Sequence, residues 1–178
     1  MLSDIGDDGE FGVCLIERGS EVGGGDVRTS VGTVARIVYN RPMLDDTSLI
    51  IVLGERRFHV ESWLPETPYP RAVVRFLEDD DVPDPMILAT AISSVRAVRH
   101  LESEVDIESS SSSTCEFDDD PVEAGWQCCA YPHMGAQDRQ SVLQQESVND
   151  RLRLVAEICC ERYGDLQRMM QEPLTNLD

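Results

Sequence analysis

Cys128 and Cys129, followed by His133, come closest to a metal-binding pattern in this sequence, since thiolate and imidazole are ligands that zinc prefers. Their spacing argues against it. Cys159-Cys160 is a second adjacent pair, Cys14 and Cys115 stand alone, and no CxxC occurs, so the pattern suits small buried hydrophobes better than a chelate. The histidines offer no better start for catalysis. His59 falls on the polar face of a strand, His100 at a helix end where its charge complements the dipole, and His133 in a loop. No serine lies in a GxSxG elbow, and among the many carboxylates no pair is singled out for acid–base work.

The basic residues narrow the chemistry further. All 15 are arginine. Without lysine there is no Walker A cation for nucleotide phosphates, no Ser-Lys general base and no amine for a Schiff base. Gly23-Gly24-Gly25 sits between Glu21 and Asp26 with no Lys-Ser/Thr after it, so it reads as a loop rather than a phosphate cradle. With 34 acidic residues the net charge is −19, which repels nucleic-acid backbones and leaves no expectation of a nucleic-acid partner. No cofactor and no catalytic group is expected, which leaves binding as the function to explain.

Period and punctuation indicate the elements that would carry a binding surface. Val31 to Tyr39 is rich in β-branched residues, and Leu49 to Leu53 is a continuous apolar run. Phe58 to Leu64 alternates, with Phe58, Val60 and Leu64 on one face against His59 and Glu61. Ala72, Val74 and Phe76 repeat the pattern. Turn formers separate the runs: Asn40-Arg41-Pro42 with Asp45-Asp46, then Gly54, then the prolines from Pro65 to Pro70. Closely spaced strands without intervening helices imply antiparallel pairing. Phe11 to Ile16 adds a further strand.

The period then changes. Asp84 as N-cap and Pro85 at the first helical position open a helix to about Leu101, with Leu88, Ala91, Ile92, Val95 and Val98 on one face. Asp120-Pro121 repeats the signal for a short helix carrying Val122, Trp126 and Cys129, and another short helix begins near Asp138. Ser147 caps a last helix whose seam runs Val148, Leu152, Val155, Cys159, Leu166 and Met169, with Gly164 weakening it. Between them, residues 103–120 include a serine and acid tract too polar to bury, read as a solvated linker. The 178 residues, 41% of them apolar, are enough for a real core. There is no apolar run of ~18 residues to span a membrane and Met1-Leu-Ser-Asp lacks the regions of a signal peptide, so a cytoplasmic protein is expected.

The strand words carry a resemblance. VGTVARI, a turn, an apolar strand, GERRFHV and a strand ending in FLED follow the order of the β-rich half of the Lon protease N-terminal domain. DRQSVLQQESVNDRLRLVAEI is similar to that domain's helical half. The resemblance spans most of residues 11 to 170 and implies an α+β fold: a PUA-like antiparallel β-barrel over residues 1–83, then a helical bundle over 84–178. It implies a substrate-binding module without the ATPase and peptidase domains, in keeping with the missing lysines. Its partners would be unfolded or degron-bearing polypeptides, with a protease supplied in trans or a homo-oligomer. A small hydrolase or ligand-binding enzyme on the same barrel is the alternative, and a truncated product without independent function is a third.

On such a module an extended polypeptide would pair with an exposed strand edge while its apolar side chains fill a groove. Trp63, Leu64 and Tyr69 are the aromatic and apolar candidates, and Arg56 and Arg57 the groups to hold a carboxylate or carbonyl. The plainer role for Trp63 and Tyr69 is to cap the barrel core. Family members begin with a P-L-F-like strand and an F-E-x-R-Y segment leading into a helix, whereas Met1 to Gly9 matches only that helix's end. A first strand is therefore expected upstream of Met1; otherwise a partner or second copy covers the open edge.

Overall fold

The computed structural model describes residues 2–6, 9–18, 25–43, 47–65, 68–78, 81–105 and 115–171. Most of the expected glycine loop and the serine tract of the linker lie outside these residues. The chain divides into two compact units, Met1–Asp79 and Asp80–Asp178. The fold is α+β.

The first unit holds a short helix α1 (Leu2–Ile5) and four strands, β1 (Glu10–Arg18), β2 (Val27–Pro42), β3 (Ser48–Leu64) and β4 (Arg71–Phe76). They form one antiparallel sheet in the order β1-β2-β3-β4, a meander as expected of strands joined without crossover helices. Among the described residues no pairing closes β4 back onto β1. β2 and β3 are long because the β-branched and apolar residues of both runs pair almost throughout, from Val31 opposite His59 to Pro42 opposite Ser48. β1 pairs β2 only as far as Arg36, and β4 pairs β3 only from Phe58 onward. The far arm of the β2–β3 ribbon therefore projects beyond its neighbours.

Of five register shifts in the sheet, two lie between β1 and β2, and the other three decide which way side chains of β3 and its partners point. Extra residues break the ladder between Val34 and Ala35, Ile37 and Tyr39, and Val60 and Ser62. Each bulge reverses the alternation that follows it. Phe58 and Val60 face one side as their spacing predicts, but the bulge after Val60 sends Trp63 to that side and Leu64 to the other. Phe58 is buried because β1 and β2 supply glycines beneath its ring: a Cβ at Gly32 would stand 2.6 Å from it, and one at Gly12 3.0 Å. Val34, Phe58 and Val60 form the small core of this face, with Cys14, Ala72 and Val74 packed around them.

The second unit contains α2 (Pro85–Val105), α3 (Pro121–Ala130), α4 (Ala136–Leu143) and α5 (Val148–Gln171). Local chemistry sets the helix starts. The Asp84 carboxylate accepts the Met86 and Ile87 N–H groups at 2.8 and 3.3 Å, and Asp120 does the same for Val122 and Glu123. Ser147 Oγ accepts the Asn149 N–H at 3.2 Å. α2 continues one turn past Leu101, to Val105. Ala91, Val95 and Val98 of α2 meet Cys128 of α3, Val142 of α4 and Leu152, Val155 and Cys159 of α5 in one buried core. Full burial of each aliphatic side chain contributes about 1.5–3 kcal/mol. Met169, expected on the seam, is exposed, because the last turns of α5 run beyond the core. Arg151 is buried and lies 4.0 Å over the Trp126 ring, so a cation–π contact takes the place of solvent for its guanidinium.

Candidate functional site

The face that buries Phe58 runs the length of the sheet and changes character along it. Paired residues in an antiparallel ladder share a face, so the register fixes its occupants. Trp63 with Ala72 lies at one end, then Val60 with Val74, then Phe58 flanked by Gly32 and Phe76, then Val34 with Arg56. Beyond the first bulge the same face carries Leu53 opposite Arg36, Ile51 opposite Tyr39 and Leu49 opposite Arg41. In the first rows Val34, Phe58 and Val60 are buried, whereas Trp63, Phe76 and Arg56 beside them are exposed. Leu49, Ile51 and Leu53 are about half exposed, as is Tyr39. An apolar row thus extends a buried core into solvent.

The backbone beside that row is equally open. β4 stops opposite Phe58, its last bond running from the Leu77 N–H to the Arg57 carbonyl at 3.0 Å. Among the described residues no strand pairs the outer edge of β3 from Ser48 to Arg56. A strand edge offers N–H and C=O groups at alternate residues, the template for adding another strand.

Two of the arginines on this face are tied down. Arg36 bonds Glu55, the bulged residue, and Arg56 reaches Glu10 at 3.3 Å while its guanidinium lies 4.0 Å over the Phe76 ring. Both pairs are solvent-exposed, so each is worth little stability and serves mainly to hold direction. Arg56 is thus a surface group at the junction of core and row. Arg57, one residue on, points to the opposite face and is only 3% exposed, so its guanidinium is not presented to an incoming chain. Trp63, 43% exposed, lies under Arg28, whose guanidinium sits 5.2 Å from the ring and 3.2 Å from Asp26. Leu64 is comparably open on the other face. Tyr69 is half-buried and donates its hydroxyl to Asp4, which raises the phenol above its ordinary value. The predicted residues therefore do not converge on one spot: Arg56 and Trp63 share the long face, whereas Leu64 and Arg57 turn away from it.

Sequence reading missed the row itself. Leu49 to Leu53 was legible as a strand, but the exposure of its alternate residues depends on where β4 ends and on two bulges. It also missed a polar cluster in the helical unit. Glu102, mostly buried, receives Arg99 at 3.3 Å, His133 at 2.9 Å and Arg162 at 3.7 Å, joining α2, α5 and the segment after α3. The spacing of Arg99 and Glu102 on α2 was its only local signal. The cysteines carry no ligand set: among the described residues no group of three His, Cys, Asp or Glu side chains is arranged to hold a metal ion. Burial pushes the thiols of Cys128 and Cys159 up to about 12, so they pack as neutral side chains. Among the described residues no helix is long and apolar enough to cross a membrane.

Comparison with known proteins fixes the family. A sequence model of the ATP-dependent protease La (LON) substrate-binding domain matches residues 1–161. The chain belongs to that family. It is 28% identical over 158 residues to the Lon protease of Anaeromyxobacter dehalogenans, a match that takes in 86% of this chain but 19% of the relative, so the chain spans about a fifth of that protein. Two crystal or solved structures share the fold of this LON substrate-binding domain. The Lon N-terminal domain protein from Xanthomonas campestris superposes with a TM-score of 0.53 at 22% identity, covering 92% of this chain and 76% of that one. The N-terminal domain of the Mycobacterium avium complex Lon protease gives 0.52 at 18% identity, covering 86% and 91%.

Proposed function

We propose that this LON substrate-binding domain is a non-catalytic module that holds unfolded or degron-bearing polypeptides in the cytoplasm, for a protease supplied in trans. The observation that carries the reading is the half-exposed row Leu49, Ile51 and Leu53, which continues the core of the sheet along an open strand edge. Half-exposed aliphatic residues in a contiguous row leave apolar surface in water, and covering it with an extended chain recovers that free energy at about 25 cal/mol per Å² before the cost of ordering the ligand. Arg56 borders the row where it meets the packed core and supplies a guanidinium for carbonyls of the bound chain, and Trp63, at the far end of the same face, offers an aromatic surface to a longer one. Leu64 and Tyr69, near the loop between β3 and β4, would contact a longer polypeptide that wraps the sheet's end. Arg57 supports the sheet from its buried position.

Unfolded casein, added without ATP, tests the proposal directly. Saturable binding with intact casein afterwards is the expected outcome. Cleavage of the casein, or no binding at any concentration that keeps it soluble, would defeat it.

A further inference from the structure

The open edge specifies how a bound chain would lie and what it would look like. We infer that the outer edge of β3 from Ser48 to Arg56 takes a polypeptide partner as an added β-strand, apolar at alternate positions and basic in its flanks. The inference rests on the polypeptide-binding reading and deepens it.

Four features support this occupant. Leu49, Ile51 and Leu53 stand at alternate residues of β3 on one face, with the β2–β3 ladder shifted at Val38 and at Glu55. A strand paired to it places every second side chain beside that row, so the partner must be apolar with period two. Along the row Arg36 is matched by Glu55 and Arg56 by Glu10, while Arg41 adds a positive charge opposite Leu49. The paired core of the partner therefore gains nothing from basic residues of its own. The unit that carries the row, Met1–Asp79, has 14 acidic residues against eight arginines. That excess attracts basic flanking segments and repels another copy of the sheet, which favours a foreign strand over edge-to-edge self-pairing.

Fluorescence anisotropy of labelled peptides with the full chain provides the test. One peptide alternates valine and threonine over seven residues with arginines at both ends; a second replaces those arginines by glutamate; a third replaces the valines by serine. The first is expected to bind at least tenfold more tightly than either of the others at low salt, with its advantage over the glutamate peptide shrinking as salt rises. Amide hydrogen exchange on the unaltered protein should show new protection confined to residues within Ser48–Arg56, and Ile51→Ser with Leu53→Ser should abolish it. Equal binding of the arginine and glutamate peptides, protection elsewhere, or self-association that itself protects this edge would overturn the inference. If casein binds but the edge stays unprotected, the strand-addition inference alone fails; if casein does not bind at all, the broader reading fails with it.

Discussion

The two units of this chain use their apolar residues in opposite ways. In the helical unit they close inward: Ala91, Val95, Cys128, Leu152, Val155 and Cys159 are essentially inaccessible, and among the described residues only Val82, Met86, Met169 and Met170 are large hydrophobics left exposed. In the sheet unit fourteen described large hydrophobics remain exposed, while the core of its long face rests on Val34, Phe58 and Val60. The helices are a finished core; the sheet is not. Helices satisfy their own backbone and need partners only along one stripe, whereas a strand leaves hydrogen-bonding groups as well as side chains at its edge. Exposure on the sheet is therefore the feature on which the proposed binding of another chain rests.

The contrast between a closed helical core and an open sheet can be measured. The largest expected effect is alkaline. Folded Cys128 and Cys159 ionise only near pH 12, whereas the same thiols in an unfolded chain ionise near 9, so the folded state disfavours the thiolate. Stability from this source is complete below about pH 9 and lost as pH rises toward 12. Circular dichroism melts of the helical signal should fall steeply across that window, and alkylation at pH 8 should label the exposed Cys160 well before Cys128 or Cys159. An unchanged melting temperature at pH 11 would contradict the buried packing of the helical core.

Leu152→Ala comes next. Removing a fully buried leucine from that core should cost about 3 kcal/mol in urea unfolding. Gly32→Ala probes the sheet: its Cβ would stand 2.4 Å from the Val13 carbonyl oxygen as well as against Phe58, an expected cost of about 2 kcal/mol seen as faster amide exchange in β1 and β2. Asp120→Ala removes the α3 cap and should cost about 1 kcal/mol. The smallest stability effect is expected where the functional effect is greatest. Ile51→Ser with Leu53→Ser should change unfolding free energy by less than about 0.5 kcal/mol yet remove casein binding, whereas Leu152→Ala should leave binding intact wherever the sheet remains folded. Loss of stability comparable to that of Leu152→Ala would show that the row is core after all.

Much of the helical unit is legible in the sequence. Asp84-Pro85 and Asp120-Pro121 announced helix starts, and the steps from Ala91 to Val98 and from Leu152 to Cys159 announced which sides would meet. The strands are readable as strands. Which way their residues face is less so: spacing groups Leu64 with Phe58 and Val60, yet one bulged residue separates them. The candidate binding residues suffered in the same way, since Arg56 and Arg57 look equivalent in sequence and lie on opposite faces of the ladder.

By itself, the sequence determined the helix starts, the apolar seams, the exclusion of lysine-dependent chemistry and the words that place the chain in its family. These are local facts: a cap acts within three or four residues, a seam repeats every three or four, and the identity of a side chain needs no neighbour. The tertiary structure alone decided the three bulges, the early end of β4 and the outward row of Leu49, Ile51 and Leu53. Register is a relation between strands that the chain brings together from a distance, and shifting it by one residue exchanges the inside of a sheet for its outside.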